Sequence, residues 1–224
     1  NAKYNNRNII FSFNTLSDNS FIVSGIQQID IGKNITNKIY QDKILGTSQW
    51  NYKLIIPGFN SKSKKISLSG TSDLYGTSVN LPKPLGKSSD IRKNISVDAV
   101  LDNNKLHDIN IIYNGIYAEI SSLEKSSGYI NFSGKKLMMP QNRFNLVGKL
   151  DTLNLSDWKS LNTNSAPVDY FAYINKIDLS IVKLINKNII LDNFSIKGYR
   201  SNKNFVFSQI TAKSNKVKIV SNGK

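Results

Sequence analysis

Apolar and polar residues alternate along most of this chain. Ile66 and Leu68 alternate with Lys65, Ser67 and Ser69. Ile95, Val97, Ala99 and Leu101 alternate with Ser96, Asp98 and Val100, and Ile109, Ile111 and Tyr113 with Asn110 and Ile112. The same spacing recurs at Ile130/Phe132, Phe144/Leu146, Ile177/Leu179/Ile181, Phe194/Ile196 and Val217/Ile219. Successive side chains of a strand point to opposite faces, so each run predicts a strand with one apolar and one wet face.

Turn-forming clusters separate the runs: "PGFNSKSK" at 57–64, "DNNK" at 102–105, "YNG" at 113–115, "KSSG" at 125–128, "INKN" at 185–188 and "SNKN" at 201–204. Asn and Gly tolerate positive φ, and Asn bonds its own backbone, so these read as hairpin connections. Connections this short predict antiparallel pairing in a meander. The runs at 166–185 and 189–200 are long enough for strands of ten or more residues, reaching roughly 35 Å. The expected fold class is all-β: a long, curved antiparallel meander, open or wrapped, with at most one or two short helices. The better helix candidate is "LSDWKSL" at 155–161. There Ser156 can accept an early N–H, Asp157 suits the dipole, and Trp158 and Leu161 share a side. "TNKIYQDK" at 36–43 is weaker.

Composition narrows the class. The chain has 224 residues, room for one large all-β domain or two small ones, and 39% hydrophobic content, which suits a sheet with one wet face. With no cysteine there is no disulfide framework and no thiolate metal site. The chain begins at Asn1 without a charged start and apolar h-region, and its longest apolar runs are a few residues. The expectation is a piece of a longer chain, with no signal peptide or transmembrane helix inside it.

The formal charge of +15 raises the idea of a polyanionic partner. The positive residues are nearly all Lys; the arginines are Arg7, Arg92, Arg143 and Arg200. Nucleic-acid readers favour Arg for bidentate contacts. Scattered Lys rising together with Asn and Ile matches an AT-rich coding bias, so no nucleic-acid partner is expected and only weak attraction to acidic surfaces remains.

Catalytic arrangements are hard to find. "PLGKSSD" (84–90) ends like a phosphate loop, but Pro82 and Pro84 remove backbone donors such a loop needs, and no helix pattern follows. The one histidine, His107, sits beside Asp108; adjacent strand residues face opposite ways, so a solvent-facing polar pair is expected. No serine elbow of the form GxSxG occurs. The fifteen acids nominate no facing pair for glycoside hydrolysis. The expectation is a non-enzyme with no cofactor and no metal site. The "NxS/T" triplets at 94–96, 131–133 and 154–156 follow from Asn and Ser abundance. The ten Tyr and ten Phe mostly share the parity of the neighbouring Ile and Leu, and belong to the apolar face.

Two blocks carry a resemblance. "LGTSQWNYKLIIP" (45–57) leads to "SGTSDLYGTSVNLPKPLGKSS" (69–89). This resembles the form "G-x-x-x-W", strand, then "SDL-x-G-x-x-x-x-LP-x-PLGK" of the large AsmA-like proteins of Gram-negative bacteria, of the YhdP type. Gly46, Trp50, Ser72, Asp73, Leu74, Gly76, Leu81, Pro82, Pro84, Leu85, Gly86 and Lys87 fit it. "GKLDTLNLSDWKSL" (148–161) is similar to the family's "G-x-L-x-x-L-x-L-x-x-W" element through Gly148, Leu150, Leu153, Leu155 and Trp158. The likeness is good from 45 to 161, looser from 162 to 224, and one of character over 1–44; the chain departs in being far richer in Lys and Asn. The resemblance implies a periplasmic protein held by an inner-membrane anchor outside this segment. It also implies a β-sheet folded into an open apolar groove that carries phospholipid between the inner and outer membranes.

On that reading residues 1–224 form one groove segment. Its lining candidates are Ile66, Leu68, Val79, Ile95, Val97, Ala99, Ile109, Ile111, Ile130, Phe132, Phe144, Leu146, Ile177, Leu179 and Ile181. Trp50, Gly76, Pro82, Pro84, Gly86, Lys87 and Trp158 are structural motif residues. "LPKPLGK" is expected to end the strand carrying Val79 and Leu81 and then run extended. Gly86 would turn the chain before a strand from Ile91, and Lys87 would face solvent or, less favoured, a lipid head group. The competing reading is a structural or adhesive β-solenoid or β-sandwich segment of a surface protein, which would show a fixed short repeat.

Overall fold

The computed structural model describes residues 2–4, 7–35, 38–62, 64–102, 105–122, 127–138, 143–161, 173–202, 204–213 and 218–222. The chain divides into two compact units. The first comprises Asn1–Asn80, Lys87–Asn114 and Glu119–Leu123; the second comprises Leu81–Gly86, Gly115–Ala118 and Glu124–Lys224. The fold is all-β with antiparallel pairing dominant, as the alternation predicts.

The first unit contains β1 (Ala2–Tyr4), β2 (Arg7–Thr15), β3 (Phe21–Ile29), α1 (Ile31–Asn34), α2 (Lys38–Gln41), β4 (Ile44–Gly46), β5 (Ser48–Ile56), β6 (Ile66–Ser72), β7 (Thr77–Val79), β8 (Ile95–Asp102) and β9 (Lys105–Tyr113). Its sheet runs β1-β2-β3-β5-β6-β8-β9, with every neighbouring pair antiparallel. β4 and β7 pair separately as a two-stranded ribbon. The "YNG" signal is a tight turn, with Asn114 at φ 45 and Gly115 at φ 82, values that suit Asn-Gly. α2 falls within the weaker helix candidate. α1, capped by the Asp30 carboxylate accepting the Lys33 N–H at 3.3 Å, adds a third short helical segment to the two expected.

β10 (Ile116–Ser122) is divided between the units. The second unit holds β11 (Ser127–Asn131), β12 (Phe144–Asn154), α3 (Leu155–Ser160), β13 (Ile174–Asn186), β14 (Ile189–Ser201), β15 (Asn204–Lys213) and β16 (Lys218–Asn222). β13 and β14 are 13 residues each, the long strands that the 166–200 pattern implies. Val217 and residues 166–172 lie outside the described residues. β13 to β16 pair antiparallel in sequence order. β11–β12 and β12–β13, however, are parallel, which departs from a pure meander. Parallel neighbours need a crossover rather than a hairpin, and the crossover from β12 leaves through α3.

The N-cap of α3 is Asn154, whose side chain accepts the Ser156 N–H at 3.1 Å. Ser156, expected in that role, instead accepts the Lys187 N–H at 2.7 Å and ties α3 to the β13–β14 turn. Beside it lies the second unit's core: Leu150, Ile181 and Leu184, with Phe132, Leu153, Leu155, Leu191 and Phe194 packed against them. Among the described residues no helix is long and apolar enough to cross a membrane.

Candidate functional site: an apolar stripe

Register in the first unit aligns the apolar parity of six strands. One row across β2, β3, β5, β6, β8 and β9 reads Phe13, Val23, Leu54, Leu68, Ala99 and Ile109. The next reads Phe11, Gly25, Tyr52, Gly70, Val97 and Ile111. Residues paired this way share a face. Beyond the second row Ile95 pairs with Ser72 and Tyr113, and beyond the first Ile66 pairs with Leu101. The two glycines leave no gap. The Tyr52 ring lies where a Gly25 side chain would be, and Trp50 lies over Gly70. The opposite parity is polar through its middle: Ser12, Ser24, Lys53, Ser69, Asp98 and Asn110.

The stripe is not sealed like a core. Phe13 is 58% exposed, Phe11 47% and Leu68 39%, whereas small Ala99 is buried among its neighbours. Val97, Ile109 and Ile111 are half-buried. In the second unit Ile130, Leu146 and Ile177 align across β11, β12 and β13, and Leu179 pairs with Ile196. Here part of the stripe is closed by the chain itself: Ile177 and Ile181 are buried, and Phe132, just past β11, packs into the Leu150 cluster. Those three lining candidates are core residues. Val79 is also removed from the stripe, because β7 belongs to the separate ribbon. Phe144 pairs with Ile174 at a register irregularity. Sequence reasoning missed Phe11, Phe13, Val23 and Leu54, although "FSF" and "FIV" carry the same period-2 signal.

An open depression of about 520 Å³ lies on the other face of β2, β3, β5 and β6. Its walls are the rows Ile10–Ile26–Asn51–Thr71 and Ser12–Ser24–Lys53–Ser69, and its floor is the backbone row Phe11–Gly25–Tyr52–Gly70. Its walls hold one charged side chain, Lys53, and no acid or histidine.

The motif residues assemble two local devices. Gly46 and Gly76, at φ 93 and 89, cross so closely that a Cβ on Gly46 would lie 2.3 Å from the Gly76 carbonyl oxygen. Beyond them the chain folds back, with Val79 and Lys87 exchanging backbone hydrogen bonds. "LPKPLGK" is therefore a tight turn and not an extended run: Leu85 and Gly86 N–H both reach the Pro82 carbonyl, and the Lys83–Pro84 peptide is cis. Ile91 is exposed and precedes β8.

Lys87 is buried, contrary to the expected solvent-facing side chain. Its ammonium donates to the Leu74 carbonyl at 2.9 Å and to the Thr77 carbonyl. Leu74 is itself buried at φ 53, an uncommon conformation for a bulky residue, which aims its carbonyl at the ammonium. Burial lowers the Lys87 pKa, with Lys93 adding to the effect and Asp90 and Asp73 opposing it. The flanking Asp73 carboxyl is also held below its ordinary value, by the Tyr75 N–H first and by Arg92 after that. In the second unit Trp158 Nε1 donates to the Lys83 carbonyl at 3.0 Å, so the two resembling blocks meet in space. Trp50 Nε1 donates to Ser48 Oγ at 3.2 Å.

His107 is half-buried opposite Val100, and Asp108 is the extra residue of a bulge at φ 37. Among the described residues no three His, Asp or Glu lie close enough to hold a metal ion. The class the geometry defines is an all-β protein with an apolar stripe along one face of its sheet. No family of known proteins, no curated protein and no solved structure matches the chain.

Proposed function

We propose that this chain is a non-catalytic segment of a lipid-carrying β-groove, whose apolar stripe is covered by phospholipid acyl chains. The observation that carries the reading is the first-unit stripe, where large apolar side chains align across six strands and several stay substantially exposed. In a closed domain a second layer would cover such a face. Acyl chains would cover it instead, at about 0.8 kcal/mol per buried CH₂. Transfer then needs a continuous apolar path and no reactive atom. Head groups stay in water, where the abundant lysines attract phosphate. The motif resemblance adds the setting: the periplasm of a Gram-negative cell, between inner and outer membranes, with the anchor in another part of the protein. The meeting of Trp158 with Lys83 supports treating the resembling blocks as one structural device.

Native mass spectrometry with lipid extraction, on the parent and on Val97→Asp, Leu146→Asp and Thr71→Asp, tests this. Val97 and Leu146 are half-buried on the stripe, and Thr71 is exposed on the opposite face. The expected result is phospholipid bound to the parent and to Thr71→Asp, and lost from the two stripe variants while they stay folded. If no lipid is carried and both stripe variants unfold, the stripe is a closed core.

A further inference from the structure

The turn end of the first-unit sheet carries exposed side chains that neither the stripe nor the motif explains. The β2–β3, β5–β6 and β8–β9 connections share this end, because each hairpin reverses the chain. In the β5–β6 connection Phe59 is 99% exposed. Its loop is braced at the base. Gly58 is buried, donates its N–H to Ser20 Oγ at 3.3 Å, and approaches so closely that a Cβ would lie 2.1 Å from the Asn19 carbonyl oxygen. The Ser61 N–H reaches the Gly58 carbonyl at 3.1 Å, and Lys64 Nζ reaches the Phe59 carbonyl at 3.0 Å. A fixed base thus holds an aromatic ring out in water. Leu16, in the β2–β3 turn, is 42% exposed.

Charge at this end has one dominant sign. Lys62, Lys64, Lys65 and Lys105 are exposed. The facing acids are Asp18, bonded to the Ser20 N–H, and Asp102, 3.5 Å from Lys65. The apolar stripe also ends here, at Phe21, Ile56, Ile66 and Leu101.

We propose that this end docks on an anionic lipid surface, with Phe59 and Leu16 entering the head-group boundary and the lysines lying on phosphates. A solitary exposed ring among lysines suits a bilayer interface, where an aromatic side chain inserts singly and cations collect at the anionic surface. A stable protein interface would need a contiguous patch on the order of 800 Å² per partner. The docking deepens the carrier reading by placing a bilayer at the mouth of the stripe, but binding to the surface stands without it.

The test is co-sedimentation of the 224-residue chain with phosphatidylcholine vesicles, with and without phosphatidylglycerol, using Phe59→Ala, Phe59→Trp and Lys62→Glu/Lys64→Glu. The exposure of Phe59 makes its replacements harmless to folding, which circular dichroism verifies. Expected are binding to the anionic vesicles, a loss of about tenfold or more in Phe59→Ala, and a loss of at least about fivefold in the double charge reversal. The Phe59→Trp emission, with the parent's Trp50 and Trp158 subtracted, shifts to the blue and is quenched by brominated acyl chains. Unchanged emission at saturating lipid, or Phe59→Ala binding like the parent, overturns the proposal. So does Phe59→Ala losing only a protein partner. Lipid extracted from the same preparations separates the two claims, because Phe59 lies off the stripe. Retained lipid with no vesicle contact sinks the docking alone, and vesicle contact without carried lipid sinks the carrier alone.

Discussion

Replacing Lys87 with Met tests whether a buried ammonium holds the motif turn together. Met keeps the length and apolar body of the stem and removes the donor. The Leu74 and Thr77 carbonyls, both on buried residues, then lose it, but the Leu74 carbonyl still accepts the Thr77 N–H at 3.2 Å, so the Thr77 carbonyl is the acceptor left stranded. A stranded buried acceptor costs about 1–3 kcal/mol. Relief from burying a charge, the same burial that lowers the Lys87 pKa, offsets part of this. The expected net loss is about 1–2 kcal/mol. With a urea slope of about 2 kcal/mol per M, the unfolding midpoint of the first unit falls by about 0.5–1 M at unchanged slope. Lys83→Met is the control: its side chain is exposed and only its carbonyl is used, so its cost stays within about 0.5 kcal/mol. If Lys87→Met unfolds at the same midpoint as Lys83→Met, the ammonium does not support the turn and Lys87 is a surface lysine after all.

Two further outcomes follow from local geometry. Gly148 sits at φ 110, where a Cβ would lie 2.6 Å from Asn131 Oδ1 and 2.9 Å from the Phe132 and Ser133 nitrogens, so Gly148→Ala should cost about 2 kcal/mol or more in urea unfolding; a neutral substitution would show that the Asn131 turn is not packed there. Burial pushes the Tyr113 phenol up to about 12. In the unfolded chain a tyrosine loses its proton near pH 10, so between the two values the unfolded state binds fewer protons. This contribution leaves stability unaltered below the lower value and reduces it as pH rises toward the upper one. Tyr113→Phe should flatten that alkaline decline, and loss of a phenol titrating near 10 in its absorbance difference from the parent would refute the burial.

The strands were legible because their chemistry is local. β8, β9, β12, β13 and β14 each announce themselves by alternation, and Asn114-Gly115 by its turn preference. What stayed hidden depends on partners distant in sequence. Nothing in "KLDTLNLSDWKSL" says that β12 and β13 lie parallel, because that pairing rests on tertiary contacts, among them Leu155 of α3 against Leu150 and Ile181. Val79 has strand parity, but the fold-back between Gly76 and Lys87 draws it into the ribbon. Lys87 reads as a surface charge because composition cannot place the Leu74 and Thr77 carbonyls around it. Ile177 and Ile181 show the same limit: parity marks the apolar face, while only tertiary packing separates its closed part from its open part. The contact of Trp158 with Lys83 joins the two resembling blocks, and no spacing rule foretells it.

On the proposed reading acyl chains lie on the stripe and not in the depression behind it. A phospholipid bearing a photoactivatable acyl chain, loaded onto the protein, irradiated and mapped by peptide mass spectrometry, tests this most directly. Labels are expected on Phe13, Leu54, Leu68 and Val97. Labels confined to Ile10, Ile26 and Thr71 on the other face, or unlabelled protein at saturating lipid, would contradict it.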